Sequence, residues 1–405
     1  MDDKTIDTIL IFFQIVFWII CIYKIWPRNR LYGLFGMILY LYLLPTEICY
    51  RFYPRFHKYY WGVDNWYVAY WYINFSLLAL LIVLNKTSRE HRVYDVIHYK
   101  KYSFGGLAWI LIFSYSTIAT YLFYSNIDNV SYQALVQNGA TGNEDVTLAT
   151  IDLLLKNIPA FVIFPLLSKP NVKWYLKLFI IYNVLLFVVY NILSGSRSDI
   201  LALTVGVVLI WIYGHKIKLK QILILVGLAV VFILVAVLTY AMRGGSNDGT
   251  LAEILLMQDY TYPAYNIIAV IAKDIVDPSM VLISQLGKAF PVFGADWLYM
   301  PIGQKVFPEV EMSPSQSMGF HPFAEGYLFA GFVGFIYNGL VIGFGLALWN
   351  RFMSTNNKRF NKFMFAMMGS LFFAMVRAQS VWFVRYLYLT FIPAVFLYSR
   401  LFNIK

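Results

Sequence analysis

Residues 174–193, WYLKLFIIYNVLLFVVYNIL, run straight into a short polar turn, Ser194-Gly-Ser-Arg-Ser-Asp199. A helix needs about 20 mostly apolar residues to cross a hydrocarbon core of roughly 30 Å, and this stretch supplies them. Ten more runs of the same kind flank it, at approximately 6–26, 31–49, 66–84, 103–124, 148–167, 199–214, 221–242, 324–349, 363–380 and 386–402. Two of them are atypical: 199–214 is short, and 148–167 carries Lys156, Pro159 and Pro165. The expected fold is an all-α polytopic membrane protein of about eleven transmembrane helices, a single integral membrane domain over residues 1–405.

Composition points the same way. The chain is 60% hydrophobic and 13% charged, where soluble domains are about half apolar and about one quarter charged. A mean hydropathy of +0.63 excludes a disordered chain, a secreted disulfide scaffold and a cytosolic enzyme. Cys21 and Cys49 both lie in apolar runs, which leaves no disulfide framework and no cysteine-based zinc site. The net charge of +11 is not a nucleic-acid signal here, because excess Lys and Arg in a polytopic protein collects in cytoplasmic loops.

Those loops set the orientation. With eleven spans, the basic connections Lys24/Arg28/Arg30, Lys86/Arg89/Arg92/Lys100/Lys101, Lys169/Lys173/Lys177, Lys216/Lys218/Lys220 and Arg351/Lys358/Arg359/Lys362 fall on one side. Arg400 and Lys405 join them. This side holds 20 of the 32 basic residues but only Glu90 and Asp95 of the 21 acidic ones. The N-terminus is therefore expected outside and the C-terminus in the cytoplasm. The start, Met1 to Asp7, is acidic and lacks a small-residue cleavage site, so the first run reads as a retained helix.

The unusual features then share the outer face. One is the turn at 194–199. Another is a loop over 243–321, far longer than a connector requires, in which 251–273 reads as an amphipathic helix interrupted at Pro263 and 279–290 as a second interfacial helix. The third is Arg377-Ala-Gln-Ser-Val-Trp-Phe-Val-Arg385. Arg197, Arg243, Arg377 and Arg385 thus gather at one membrane edge, where charge is costly and usually lines a polar cavity. Guanidinium forks onto phosphate oxygens, and four on one face suit a diphosphate. Pairing with Asp199, Asp259 or Glu325, or snorkelling, is the structural alternative.

The segment Gly319-Phe-His321-Pro-Phe-Ala-Glu325-Gly-Tyr327 leads into Gly331-Phe-Val-Gly334 at a helix start. His321 and Glu325, four apart, share a helical face, and either can take a proton from a hydroxyl nucleophile. The same spacing fits a cap, with Pro322 opening the helix and Glu325 in its first turn; the pattern leaves both roles open. Gly331, Gly334, Gly339 and Gly343 read as close helix-packing positions. Asp259-Tyr260-Thr-Tyr-Pro-Ala-Tyr265 and Tyr327 offer aromatic faces for sugars, or equally an interfacial belt. Glu309 and Glu311 read as a solvated pair. No metal-binding or nucleotide-binding motif is present, and no cofactor is expected.

The order of Ser-Gly-Ser-Arg-Ser (194–198), Arg243-Gly before a long outer loop, and Pro-Phe-Ala-Glu-Gly-Tyr-Leu-Phe-Ala-Gly-Phe-Val-Gly (322–334) on the return resembles the Wzy-type O-antigen and capsule polymerases, the oligosaccharide repeat-unit polymerases. The resemblance covers most of the chain as architecture, through short motifs. It implies a GT-C-like, metal-independent glycosyltransferase in the bacterial cytoplasmic membrane that joins undecaprenyl-diphosphate-linked repeat units on the outer leaflet. The growing chain is then the donor and a new lipid-linked unit the acceptor. Membrane lipids surround it, and a chain-length regulator and a flippase are implied partners. The related ligases carry a His, a small residue and then a Gly-x-x-Gly helix start; here Pro322 takes the small residue's place and the spacing is shorter. Carried over, Arg197 and Arg243 clamp the diphosphate, Arg243 also supporting the chemical step. His321 or Glu325 orients or deprotonates the acceptor. Arg377, Arg385, Asp199, Asp259, Tyr260 and Tyr327 are the further substrate-binding candidates read from the residues themselves. An O-antigen ligase and a lipid-linked oligosaccharide flippase are the rival readings.

Overall fold

A computed structural model describes residues 3–53, 60–87, 106–131, 146–169, 172–212, 262–289, 321–353, 358–377, 390 and 392–401. Every regular element among them is helical. In order these are α1 (Asp3–Ile25), α2 (Arg30–Phe52), α3 (Val63–Thr87), α4 (Gly106–Ser125), α5 (Val146–Lys156), a π-helical turn at Pro159–Ile163, α6 (Phe164–Leu167), α7 (Trp174–Leu193) and α8 (Arg197–Ile212). After them come α9 (Tyr262–Ala272), α10 (Pro278–Ala289), α11 (Pro322–Ala330), a 3-10 turn at Gly331–Val333, α12 (Gly334–Met353), α13 (Lys358–Arg377) and α14 (Ile392–Leu401).

By length and composition, five helical stretches among the described residues could cross a membrane: Lys4–Ile25, Tyr32–Phe52, Val63–Thr87, Trp174–Leu193 and Pro322–Ala347, the last interrupted at Gly331–Val333. A sixth candidate is the pair Thr150–Lys156 and Pro159–Leu167, bent by 40°. The bend follows from composition. Pro159 lacks the N–H that a straight helix would use, and the backbone answers by widening to a π turn. The expected span at 199–214 is the short apolar helix Asp199–Trp211. The expected span at 221–242 lies outside the described residues.

Packing explains the glycines. α12 lies along α3, where a Cβ on Gly339 would come within 2.7 Å of Ala79 and one on Gly343 within 2.5 Å of Val83. Small residues let two backbones approach, which is how helices associate where lipid offers no hydrophobic drive. α8 lies against α13 in the same way, with Leu209 facing Gly369 and Ser370 donating to the Ala202 carbonyl (2.8 Å).

Two expectations change. The amphipathic segment expected to lie at the interface is, over its described part, α9, and this helix is buried on all sides: Ala264, Tyr265 and Asn266 through Ile271 are covered by α2, α3 and α11. A helix apolar all round belongs inside, and the run Ile267-Ile-Ala-Val-Ile271 is that helix. The single run at 324–349 becomes two helices that fold back on each other. In one continuous helix Gly326 and Gly334 would be about 12 Å apart along the axis. Instead a Cβ on Gly334 would lie 1.8 Å from the Gly326 carbonyl oxygen, and Asn338 reaches the Phe323 carbonyl (3.4 Å). Gly331, at φ +62°, makes the reversal in a region that favours glycine. α11 is only nine residues, about 13 Å, too short to cross; α12, at 20 residues, is the longer arm.

Candidate functional site

The hairpin of α11 and α12 holds His321 and Glu325, and both are buried, at 0% and 1% exposure. His321 is the N-cap of α11. Its Nδ1 accepts from the Phe323 backbone N–H (3.1 Å), and its carbonyl accepts from the Ala324 N–H (2.9 Å). Pro322 stands at the first helical position, where no donor is missed. Because Nδ1 accepts, the neutral ring carries its proton on Nε2, and that buried N–H has no hydrogen-bond partner among the described residues. Burial holds the imidazole's pKa down, to about 3, so the ring stays neutral. Of the two roles left open by the sequence, the capping role is the one seen, and His321 presents a donor rather than a base. Glu325 lies one turn further on, in the first turn of α11, and engages neighbours of its own.

Polar bonds tie this arm to α3. Tyr72 donates to the Phe323 carbonyl (2.9 Å), while the Asn338 amide donates to the Tyr72 and Ser76 hydroxyls (2.9 and 3.1 Å). Tyr327, one turn beyond Phe323, packs edge-on against Tyr72, ring centroids 5.4 Å apart, and donates to Asp274 Oδ1 (3.2 Å). Asp274 ends α9 in a Schellman turn: its N–H bonds the Ile271 carbonyl (3.1 Å) and the Ile275 N–H bonds that of Val270 (3.2 Å). At φ 46° it is the one left-handed non-glycine residue among those described, a conformation Asp tolerates better than most. Tyr327 is the sugar contact expected from sequence; its partner Asp274 is not, because an exposed Asp at a helix end carries no signal there.

A second polar cluster lies under the 194–199 turn. The turn is itself a Schellman motif: Gly195 at φ +69°, with the Ser196 N–H on the Asn191 carbonyl (2.8 Å) and the Gly195 N–H on Ile192 (3.1 Å). The Ser196 hydroxyl donates to Asp199 Oδ2 (2.5 Å) across the start of α8. Ser-Gly-Ser is thus accounted for by helix ends. Asp199 faces the Lys156 ammonium at 3.9 Å, which also meets Asp152 at 2.9 Å; Tyr190 donates to Asp152. Beside them Thr390 donates to Asn157 Oδ1 (2.6 Å). A cavity of about 70 Å³ lies there, lined on its polar side by Lys156, Asn157, Asp199, Ser370 and Thr390. Sequence reasoning does not single out Lys156 and Asp152 as functional candidates. Their spacing of four in an apolar run just before Pro159 is the available signal, and in the sequence it reads only as a weakness of the span.

Arg197 opens α8 and Arg377 closes α13. The two helices pack against each other, Leu209 facing Gly369 and Ala202 facing Ser370. Arg243, Asp259, Tyr260 and Arg385 lie outside the described residues, as do Glu309 and Glu311. Among the described residues no three His, Cys, Asp or Glu side chains converge on a point that could hold a metal ion. No family model, no curated protein and no solved structure matches this chain.

Proposed function

We propose that the chain is a membrane-embedded glycosyltransferase that polymerises lipid-diphosphate-linked oligosaccharide units on the outer face of a bacterial cytoplasmic membrane. The observation that supports it best is the pairing, on one turn of a short folded-back helix, of a buried carboxylate with a buried imidazole N–H that has no partner among the described residues. An unmet buried donor costs about 1–3 kcal/mol; a bound oxygen ligand removes that cost. Glu325 is the proton acceptor in this reading. The acceptor hydroxyl oxygen attacks the anomeric carbon of the donor chain, its proton passes to Glu325, and the bond from that carbon to the diphosphate oxygen breaks. His321 Nε2–H donates to a substrate oxygen and fixes its orientation. Arg197 and Arg243 receive the departing diphosphate, where charge grows most.

Reconstitution tests the reading directly. Purified protein in vesicles with a purified diphosphate-linked repeat unit should yield a ladder of longer oligomers without added nucleotide sugar. Transfer of intact units across the bilayer with no ladder would identify a flippase instead, and transfer only to a lipid A core would identify a ligase.

A further inference from the structure

Of the described helices long and apolar enough to cross a membrane, α1 is the least buried, with only 22% of its apolar stretch covered. Apolar contact alone does not fasten a helix in lipid, and α1 is held by polar bonds: Asp7 with Arg51 and Tyr67, the Leu10 carbonyl with Tyr70 (2.9 Å), Trp18 with the Gly36 carbonyl (3.1 Å), and Gln14 with Glu47. The last pair is anomalous. Gln14 and Glu47 are 3% and 1% exposed, and the one bond between them runs from Gln14 Nε2 to Glu47 Oε1 (3.2 Å). Two buried acceptors, Gln14 Oε1 and Glu47 Oε2, are left with no donor among the described residues. None of the ion pairs among those residues involves Glu47; Arg51, one turn along, is taken by Asp7. Tyr40 and Tyr70 both lie within reach of a charge on Glu47. Tyr70 donates to Leu10, and the Tyr40 hydroxyl makes no hydrogen bond to a described residue. A carboxylate buried without a cation is far too costly to persist as an anion.

We propose that Glu47 is a proton-binding site: its carboxyl is held as the neutral acid, and Oε2–H donates to Gln14 Oε1. One proton satisfies both orphaned oxygens at once and closes a two-bond acid–amide pair between α2 and α1. The proton is then a resident structural ligand of the bundle. This goes beyond the proposed reaction and does not depend on it.

The test exploits the fact that an amide, like a carboxylic acid, presents one acceptor and one donor to such a pair. Infrared difference spectra of wild type minus Glu47→Gln should show a protonated-carboxyl stretch that shifts in D2O. Glu47→Gln, and the exchange Gln14→Glu with Glu47→Gln, should melt within about 2 °C of wild type, whereas Glu47→Ala should lose several degrees, as leaving a buried amide unpaired implies. A difference spectrum with only ionised-carboxylate bands, or a Glu47→Gln variant that falls as far as Glu47→Ala, overturns the proposal. If Glu47→Ala fails to insert, the infrared result decides alone.

Discussion

Replacing Gly334 with alanine tests the hairpin that presents His321 and Glu325. The new Cβ would lie 1.8 Å from the Gly326 oxygen and 2.3 Å from its carbon. Both are backbone atoms of α11, so no side chain can swing away. An ordinary contact there is about 3.4 Å, which means the two arms must part by roughly 1.5 Å. Overpacking of this kind typically costs about 1–3 kcal/mol. Parting the arms also strains the bonds that Tyr72 and Asn338 make to the Phe323 carbonyl, each worth about 1 kcal/mol. Alanine's better helix propensity returns at most about 1 kcal/mol, leaving a net loss of roughly 2–4 kcal/mol. Gly345, in the same helix, has nothing within 4 Å of its Cβ position and is the control: alanine there should be neutral or slightly stabilising. Gly343, whose Cβ would meet the Val83 side chain, should fall between. Thermal unfolding of purified protein in detergent reads all three, with ladder formation measured in parallel. A Gly334→Ala protein that melts with wild type would mean that the chain does not fold back at 331–333, and the placement of His321 and Glu325 would go with it.

Other outcomes follow from the same geometry. Glu325→Gln should abolish ladder formation with little change in protein level, whereas His321→Asn, whose oxygen can still cap Phe323, should keep the fold and lose most activity; equal activity in His321→Asn and wild type would leave His321 a cap alone. The low pKa of His321 sets a pH dependence: the unfolded imidazole binds a proton below about 6.5 and the folded one does not until about 3, so stability should decline as pH falls through that window, by roughly 2 kcal/mol from pH 7 to pH 5, and a His321→Asn variant should show a flatter profile over that range. Arg197→Lys and Arg243→Lys keep charge but lose the fork, so each should reduce the rate on the order of 10²-fold or more; near-normal ladders from both would end the diphosphate-clamp assignment. Cysteine placed at Ser246 should react with an impermeant reagent in intact cells and cysteine at Asn356 should not, the reverse pattern overturning the orientation.

What the sequence makes legible is whatever depends on one segment at a time. Apolar length marks α1, α2, α3 and α7 as crossings, because hydrocarbon thickness is a property of the membrane and not of any neighbour. The turn at 194–199 and the cap open to His321-Pro322 are equally local, since a turn or a helix start needs no distant neighbour. The hairpin at 322–353 is hidden by the same logic. Pro322 to Ala347 is as hydrophobic as a true span, and contacts between its two arms, Gly326 with Gly334 and Asn338 with Phe323, reveal the reversal. Hydropathy integrates along the chain and cannot register a fold-back that keeps the composition unchanged.

The polar residues to which sequence reasoning gives no role share one property: each meets a partner distant in the chain. Lys156 gains its significance from Asp199, Asp274 from Tyr327, and Glu47 from Gln14. In water such pairs would be weak and optional. Away from water each charged or amide group must be met by another, so every such residue inside an apolar run implies a contact, wherever in the chain its partner lies. The sequence therefore predicts that partners exist without saying which ones. The same rule gives His321 its weight. Its Nδ1 is met and its Nε2 is not. Other buried polar atoms also lack a partner among the described residues, Trp66 Nε1 and the Tyr40 hydroxyl among them, so it is the carboxylate one turn away that sets His321 apart, and in the proposed reaction a substrate oxygen is the partner its Nε2 lacks.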